Sequence, residues 1–275
     1  MQVDFPIMTL LSIPLPGTKP LLALSVLVIL LAWETVYPFF PFPAGRRRLA
    51  HGARNVILGV VNGLMTTLGF VGLWWFGSEW AAKHGFGLFH WLALPNLAEW
   101  VLAVLLLDAW TYIWHRMNHR IPFLWRFHRV HHSDPHMDVT TANRFHIGEI
   151  FMSSVLRVPL IVLLGIRVEQ IALYEFLMFA VVQFHHANIG VTEKWDRVLR
   201  LVIVTPFMHK VHHSRWQPET DSNYSSFLSI WDRIFRSFRL NRKPESIRIG
   251  LDEFDSPEQQ TFSGLLKTPL AKRKS

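Results

Sequence analysis

Two stretches, FHRVHHS at 127–133 and MHKVHHS at 208–214, differ in two of seven places, one of them a swap of Arg for Lys. Each sets three imidazoles at i, i+3 and i+4 (His128, His131, His132; His209, His212, His213), the spacing of one helix face. HRMNH at 115–119 adds His115 and His119, again on one face. Fifteen His scattered at random over 275 positions would give roughly 0.04 such triplets, so two need a cause. Neutral imidazole is a good ligand for first-row transition metals, and helical spacing aims several ring nitrogens at one point. Eight imidazoles exceed what one tetrahedral ion takes, so the pattern predicts two metals. A single His is often an interfacial or pH-sensing bystander. Eight at ligand spacing are not accounted for that way.

Around these motifs lie further candidates. His146 sits in NRFHIGE, and His185 and His186 close an apolar segment in QFHHANI, a place where polar groups mark functional sites. Adjacent helical residues point about 100° apart, so one of that pair is expected to face the cluster. Glu149, Asp134 and Asp232 are candidate carboxylates for orienting imidazole N–H groups, or else ordinary caps. His51, His84, His90 and His136 lack spacing partners and read as bystanders.

The rest of the chain reads as membrane. Half the residues are hydrophobic and only 17% charged, against about a quarter charged in soluble domains; mean hydropathy is +0.21. There is no cysteine, which excludes disulfides, thiolate zinc sites, Cys-ligated clusters and Cys nucleophiles. Apolar segments run over 20–37, 56–77, 97–114, 147–166 and 168–189, each near bilayer-crossing length. The expectation is an all-α integral-membrane bundle of about four to five membrane helices, with a cytosolic His-rich dimetal cap. Arg46, Arg47, Arg48 and Arg54, then Arg116, Arg120, Arg126 and Arg129, then Lys194, Arg197, Arg200 and Lys210 occupy alternate loops. The positive-inside rule places all of them, and the histidines, on the cytoplasmic side. A cleaved signal peptide is disfavoured: the first segment lacks a basic start, and PFFPFP follows it. Residues 1–114 then form N-terminal membrane helices, 115–241 a catalytic region with two further membrane helices at about 147–189, and 242–275 a flexible cytosolic tail. Its KRKS end would favour anionic lipid. The glycines of the second segment either let helices pack closely or line a lipid slot.

The order of motifs resembles the fatty acid hydroxylase superfamily, the integral-membrane group that includes sterol desaturases and sphingolipid hydroxylases. HRMNH, HRVHH, RFHIGE (144–149), FHHANI (184–189) and HKVHH carry the likeness, with NYSSFLSIWDRIF (223–235) similar to the family's closing Asn-Tyr-Gly … Trp-Asp-x-x-Phe element. It covers roughly residues 100–238. Two places depart from the pattern: Ile147 stands where Pro is usual and Ser225 where Gly is usual. The resemblance implies a non-haem diiron, O2-dependent oxidoreductase that hydroxylates or desaturates a lipid C–H bond. It implies His115, His119, His128, His131, His132, His186, His209, His212 and His213 as metal ligands, with His185 and His146 less secure. Glu149, Asp232 and Asn188 are the candidate catalytic residues.

A site at the mouth of an apolar bundle predicts a membrane lipid substrate: sterol, fatty acyl, sphingoid or other. No G-x-G-x-x-G fingerprint or haem motif is present, so electrons are expected from an external ferredoxin, cytochrome or reductase docking on the basic face. Nucleic acid is not expected, for want of a basic strip with interleaved aromatics; the oligomeric state is open. The alternative is a His-rich membrane metal transporter or metal-binding protein, which would set its ligands along a mid-membrane path. A zinc protease would need H-E-x-x-H, but Arg116 and Arg129 follow His115 and His128.

Overall fold

Long apolar runs form helices because only intrasegment hydrogen bonding satisfies their backbone away from water. In a computed structural model, which describes residues 18–42 and 45–271, those runs become α1 (Thr18–Val36), α2 (Arg46–Gly69), α3 (Val71–Lys83), α4 (Leu88–Leu92) and α5 (Asn96–Arg120). They continue as α6 (Pro122–His132), a 3₁₀ turn at Val139–Asn143, α7 (Ile147–Leu164) and α8 (Val168–His186). Short helices follow: α9 (Glu193–Leu199), α10 (Pro206–His212), α11 (Gln217–Thr220), α12 (Ile230–Ile234) and α13 (Phe262–Lys267). Among the described residues there is no β-strand, only isolated bridges such as Pro38 with Ile189. The all-α expectation holds.

Four to five membrane helices are expected from the sequence; among the described residues α5 and α7 qualify as spans by length and apolarity, and the bent pair Arg47–Gly69 and Val71–Leu92 makes a third if counted as one span. The 56–77 segment breaks at Phe70, between the glycines at 69 and 72, and the chain turns by 41°. In α8, Glu169, Gln170, Glu175 and Gln183 dilute the apolar run. In α1 the described side chains form a shorter apolar run, Leu24–Val36.

Burial runs opposite to that of a water-soluble domain. Leu68 is 84% exposed, and Ile29, Leu64, Leu73, Val101, Phe151 and Leu163 also face outward, while the interior beyond the helix ends holds His, Asp, Arg and Lys. An outward apolar face of this extent belongs to a protein that meets lipid. Where α3, α5, α7 and α8 meet, Phe70, Trp74, Leu107, Ile161, Ile166 and Tyr174 form the helical core. Two buried acids stitch the bundle to its cap. Asp108 on α5 accepts from Leu228 N at 3.0 Å and Trp231 Nε1 at 2.7 Å. Glu34 on α1 accepts from Val139 N at 3.0 Å and Asn188 N at 2.9 Å.

Helix α5 runs unbroken through position 114, so the membrane helices and the His-rich region share an element. The stretch from 242 is packed rather than loose. Of its apolar residues Ile247, Ile249, Phe254 and Leu265 are buried, and Gln260 donates to Ser133 O at 2.9 Å while accepting from Arg144 at 2.6 Å. Its polar composition concealed this, because a few buried apolar side chains are enough to anchor it. The KRKS end lies outside the described residues. In α2, a Cβ at Gly59 would come within 2.8 Å of Asn143, so that glycine permits close approach. Gly63 meets nothing and lines a cavity instead.

Candidate metal centre

Proline at the first helical position presets φ and sacrifices only an N–H that is orphaned anyway. Pro122 and Pro206 start α6 and α10 in this way, and each helix turns its triplet toward the other. The last turns of α5 and α8 supply the remaining rings. Five imidazoles, from His115, His119, His128, His132 and His212, bring one nitrogen each within 4.8 Å of one another. Four more, from His131, His186, His209 and His213, do the same alongside. The two groups interlock: the His132 and His213 rings stack with centroids 4.4 Å apart. Nine of the eleven imidazoles singled out from the sequence thus converge, and each triplet contributes to both groups.

Hydrogen-bond partners fix several tautomers. A carbonyl oxygen only accepts, so the nitrogen facing it carries the proton. His115 Nδ1 donates to Tyr224 O at 2.7 Å and His212 Nδ1 to Ser222 O at 2.6 Å. Their Nε2 atoms, both bare lone pairs, then face each other at 3.0 Å. In the second group His186 Nδ1 donates to Val182 O at 2.7 Å, and its Nε2 lies 2.9 Å from His209 Nε2 and 3.1 Å from His131 Nε2. Burial, reinforced by the neighbouring imidazoles, holds His131, His132, His209 and His213 well below the usual imidazole range. Burial likewise pushes His212 down to about 3. These five rings are neutral at physiological pH. Buried, uncharged and aimed lone pair to lone pair, they fit cations between them; His128 Nε2 and both nitrogens of His132 have no hydrogen-bond partner within the protein.

Glu149 meets one of the rings directly. Its Oε1 accepts from His128 Nδ1 at 2.8 Å and from Asn118 Nδ2 at 3.1 Å, leaving His128 Nε2 free to point into the first group. The other candidates have different partners. Asp134 faces His51, with Nε2 at 2.8 Å from both oxygens, and accepts from Thr141 Oγ1 at 2.7 Å. Burial opposes its charge, but His51 and the Arg144 guanidinium outweigh that and hold Asp134 well below the usual carboxylate range. His51 stays outside both imidazole groups and is held in this buried pair. Asp232 accepts from Tyr224 N at 2.7 Å and Ser225 N at 3.1 Å, so it positions the backbone that receives His115 rather than touching a ring. Asn188 pairs with both backbone groups of Phe40 at 2.8 Å, outside the ring of imidazoles. His146 caps α7, its Nδ1 accepting from Gly148 N at 2.9 Å, and joins neither group. His185 stacks on His209 at 3.9 Å and faces a cavity without joining either group.

The motifs' shared basic position has a purpose the spacing did not reveal. Lys210 Nζ donates to Ala187 O and Ile189 O, both at 3.1 Å, and burial pushes its ammonium down to about 7. Arg129 Nη2 donates to Thr268 O at 2.5 Å and Ala271 O at 2.6 Å. Each triplet helix is thus tied to a distant segment. The repeated basic slot was the visible signal; its partners lie too far along the chain to be read. Tyr224, whose carbonyl orients His115, gave no sequence signal beyond its place in the closing element.

Two cavities border the imidazoles. One, of about 410 Å³, lies between α2, α7 and α8 and is bordered by His115, His128, His131, His186 and His209. The other, of about 450 Å³, opens beside His119 among Arg120, Arg126, Arg129 and Asp221.

The sequence profile of the fatty acid hydroxylase family matches residues 100–237. The chain is 33% identical over 168 residues to alkylglycerol monooxygenase of Danio rerio, covering 58% of this chain and 34% of that protein. It is 30% identical over 158 residues to the ornithine lipid hydroxylase OlsE of Rhizobium tropici (57% and 46% covered). It is 24% identical over 181 residues to cholesterol 25-hydroxylase of Mus musculus (58% and 57% covered). The chain spans between about a third and three-fifths of these relatives' lengths. No solved structure matches it. With the profile covering half its length and every element of the histidine pattern inside or beside the two groups, the chain belongs to the fatty acid hydroxylase family.

Proposed function

We propose that this chain is a multi-pass membrane oxidoreductase that hydroxylates a lipid C–H bond, using O2 and two irons held by the two imidazole groups on the cytoplasmic side of the bilayer. The observation that carries this reading is the facing pair of bare Nε2 atoms of His115 and His212, 3.0 Å apart with both Nδ1 protons committed to carbonyls. Two lone pairs at that distance repel unless a cation lies between them, and imidazole selects transition metals. When bound, a pair of irons supplies the oxygen activation needed to break an unactivated C–H bond.

The chain's own residues hold and shield that chemistry. Glu149 fixes the His128 tautomer, and Tyr224 and Ser222 fix those of His115 and His212. The apolar cavity between α2, α7 and α8 takes the lipid chain and excludes water from the ring faces. The basic cavity beside His119 is where an acidic electron donor would approach. The three relatives are each named a hydroxylase or monooxygenase of a lipid, which favours hydroxylation over desaturation. A transporter is disfavoured because the groups close at helix ends rather than along a path.

Lipid mass spectrometry of cells with and without the protein tests this reading. The expected result is one lipid class gaining a single oxygen atom. It disappears with His131→Ala combined with His212→Ala, which also abolishes bound iron. Retention of iron and activity by that double variant would overturn the ligand assignment; a species losing two hydrogens would move the reading to desaturation.

A further inference from the structure

The walls of the 410 Å³ apolar cavity include one stripe from each of α7 and α8. On α7 the stripe runs Glu149, Ser153, Arg157, every fourth residue; on α8 it runs from Glu175 through Val182 to His186. One end is the imidazole site. The other end is an ion pair, Arg157 Nη1 donating to the Glu175 carboxylate, near the middle of each helix. At 1.5 Å per residue the ends lie about 12 Å apart along α7 and about 16 Å along α8. The Arg157 guanidinium also sits 5.1 Å from the Trp74 ring centroid, and its Nε is buried with no partner. The pair is not sealed off: the side chains are 11% and 37% exposed, with both residues on the cavity wall.

Holding two helices together does not require this arrangement. A packed apolar pair serves as well or better, because desolvating two charges costs about what their attraction returns. Ionisable residues at this depth face cavities and mark what passes through them.

We propose that Arg157 and Glu175 form a second recognition point of the lipid site, which takes an uncharged hydroxyl or secondary amide of the substrate and so fixes which carbon reaches the histidines. This rests on the reading of the cavity as the lipid site given above. The pair is neutral as a unit, so an incoming carboxylate or ammonium would leave an uncompensated charge in a low-dielectric slot. A hydroxyl accepts from the guanidinium and donates to the carboxylate; an amide does the same through its C=O and N–H. An ether or ester oxygen satisfies only the guanidinium. The preferred substrate therefore carries such a group roughly 12–16 Å from the attacked carbon, the span between the cavity's polar ends.

The test uses the purified full chain and two probes of equal length, 1-dodecanol and 1-chlorododecane, with affinity read from the concentration dependence of the thermal midpoint. The wild type is expected to prefer the alcohol on the order of tenfold. Arg157→Met combined with Glu175→Met should bind both probes alike, and Glu175→Gln, which keeps an acceptor, should retain most of the preference. Equal affinities in the wild type, or a preference that survives the double Met change, overturn the recognition point alone. A wild type that binds neither probe overturns the lipid-site reading beneath it. The readout needs neither iron nor turnover, so the two failures are distinguishable. With active enzyme, Arg157→Met should spread oxidation over neighbouring carbons and raise KM more than it lowers kcat.

Discussion

Glu149 governs an imidazole by one oxygen. Because Oε1 accepts hydrogen bonds from both His128 Nδ1 and Asn118 Nδ2, the carboxylate charge falls on a ring that the proposed function makes a metal ligand. A charged acceptor makes a hydrogen bond about twice as strong as a neutral one. Glu149→Gln is therefore expected to keep the fold but weaken iron retention by on the order of 10- to 100-fold, measured as iron content against graded chelator with helicity monitored in parallel. At this scale the sequence was partly legible. Helical spacing told which imidazoles share a face, and nine of them do converge. It could not say which acid lies across from a ring. Asp134 and Asp232 look like Glu149 on paper, yet one answers to His51, more than eighty positions away, and the other to backbone amides. His146 failed for a local reason: its ring is close enough to the next helix to cap it.

Helices α6 and α10 are too short to be stable alone and stay in place through their neighbours. Lys210 is the clearest restraint, closing the carbonyls that follow α8 while its own helix presents His209, His212 and His213. Lys210→Met would leave the buried Ile189 carbonyl without a donor, at about 1–3 kcal/mol, while Ala187 O keeps Ile189 N at 2.8 Å. The expected result is a loss of about 1–3 kcal/mol of stability, seen as a lower thermal midpoint, with iron lost well before the helices of the bundle unfold. Helix type and approximate position were readable from apolar runs. The span count was not, because continuity depends on backbone geometry at Phe70 and on how many Glu and Gln a helix such as α8 tolerates.

Across the whole molecule, the balance of buried neutral imidazole sets the acid limit. His131, His132, His209 and His213 are held well below their ordinary value of 6.5 in the folded chain, and recover it on unfolding. The unfolded state then binds more protons at every pH between the two values, so stability is fully present above about 6.5 and is lost as pH falls below it. Metal binding has the same sign, since protons compete for the same nitrogens. Thermal midpoints of the metal-free chain, taken from about pH 8 down to about pH 5, should hold level and then fall; a flat profile would mean the rings are not buried as neutral groups. The membrane character and the family were legible from composition and the paired triplets, whereas the folding of 242–271 onto the cap was not, since four buried apolar residues hardly alter an average. One further consequence follows from α5, which spans from Asn96 to His115 and His119 without a break, and from α7, which starts at the glutamate holding His128. Both are rods anchored at the imidazole end, and hydrophobic mismatch is relieved by tilting such rods. On the function proposed above, the spacing of donor atoms is expected to vary with bilayer thickness, and turnover with the acyl length of the surrounding lipid.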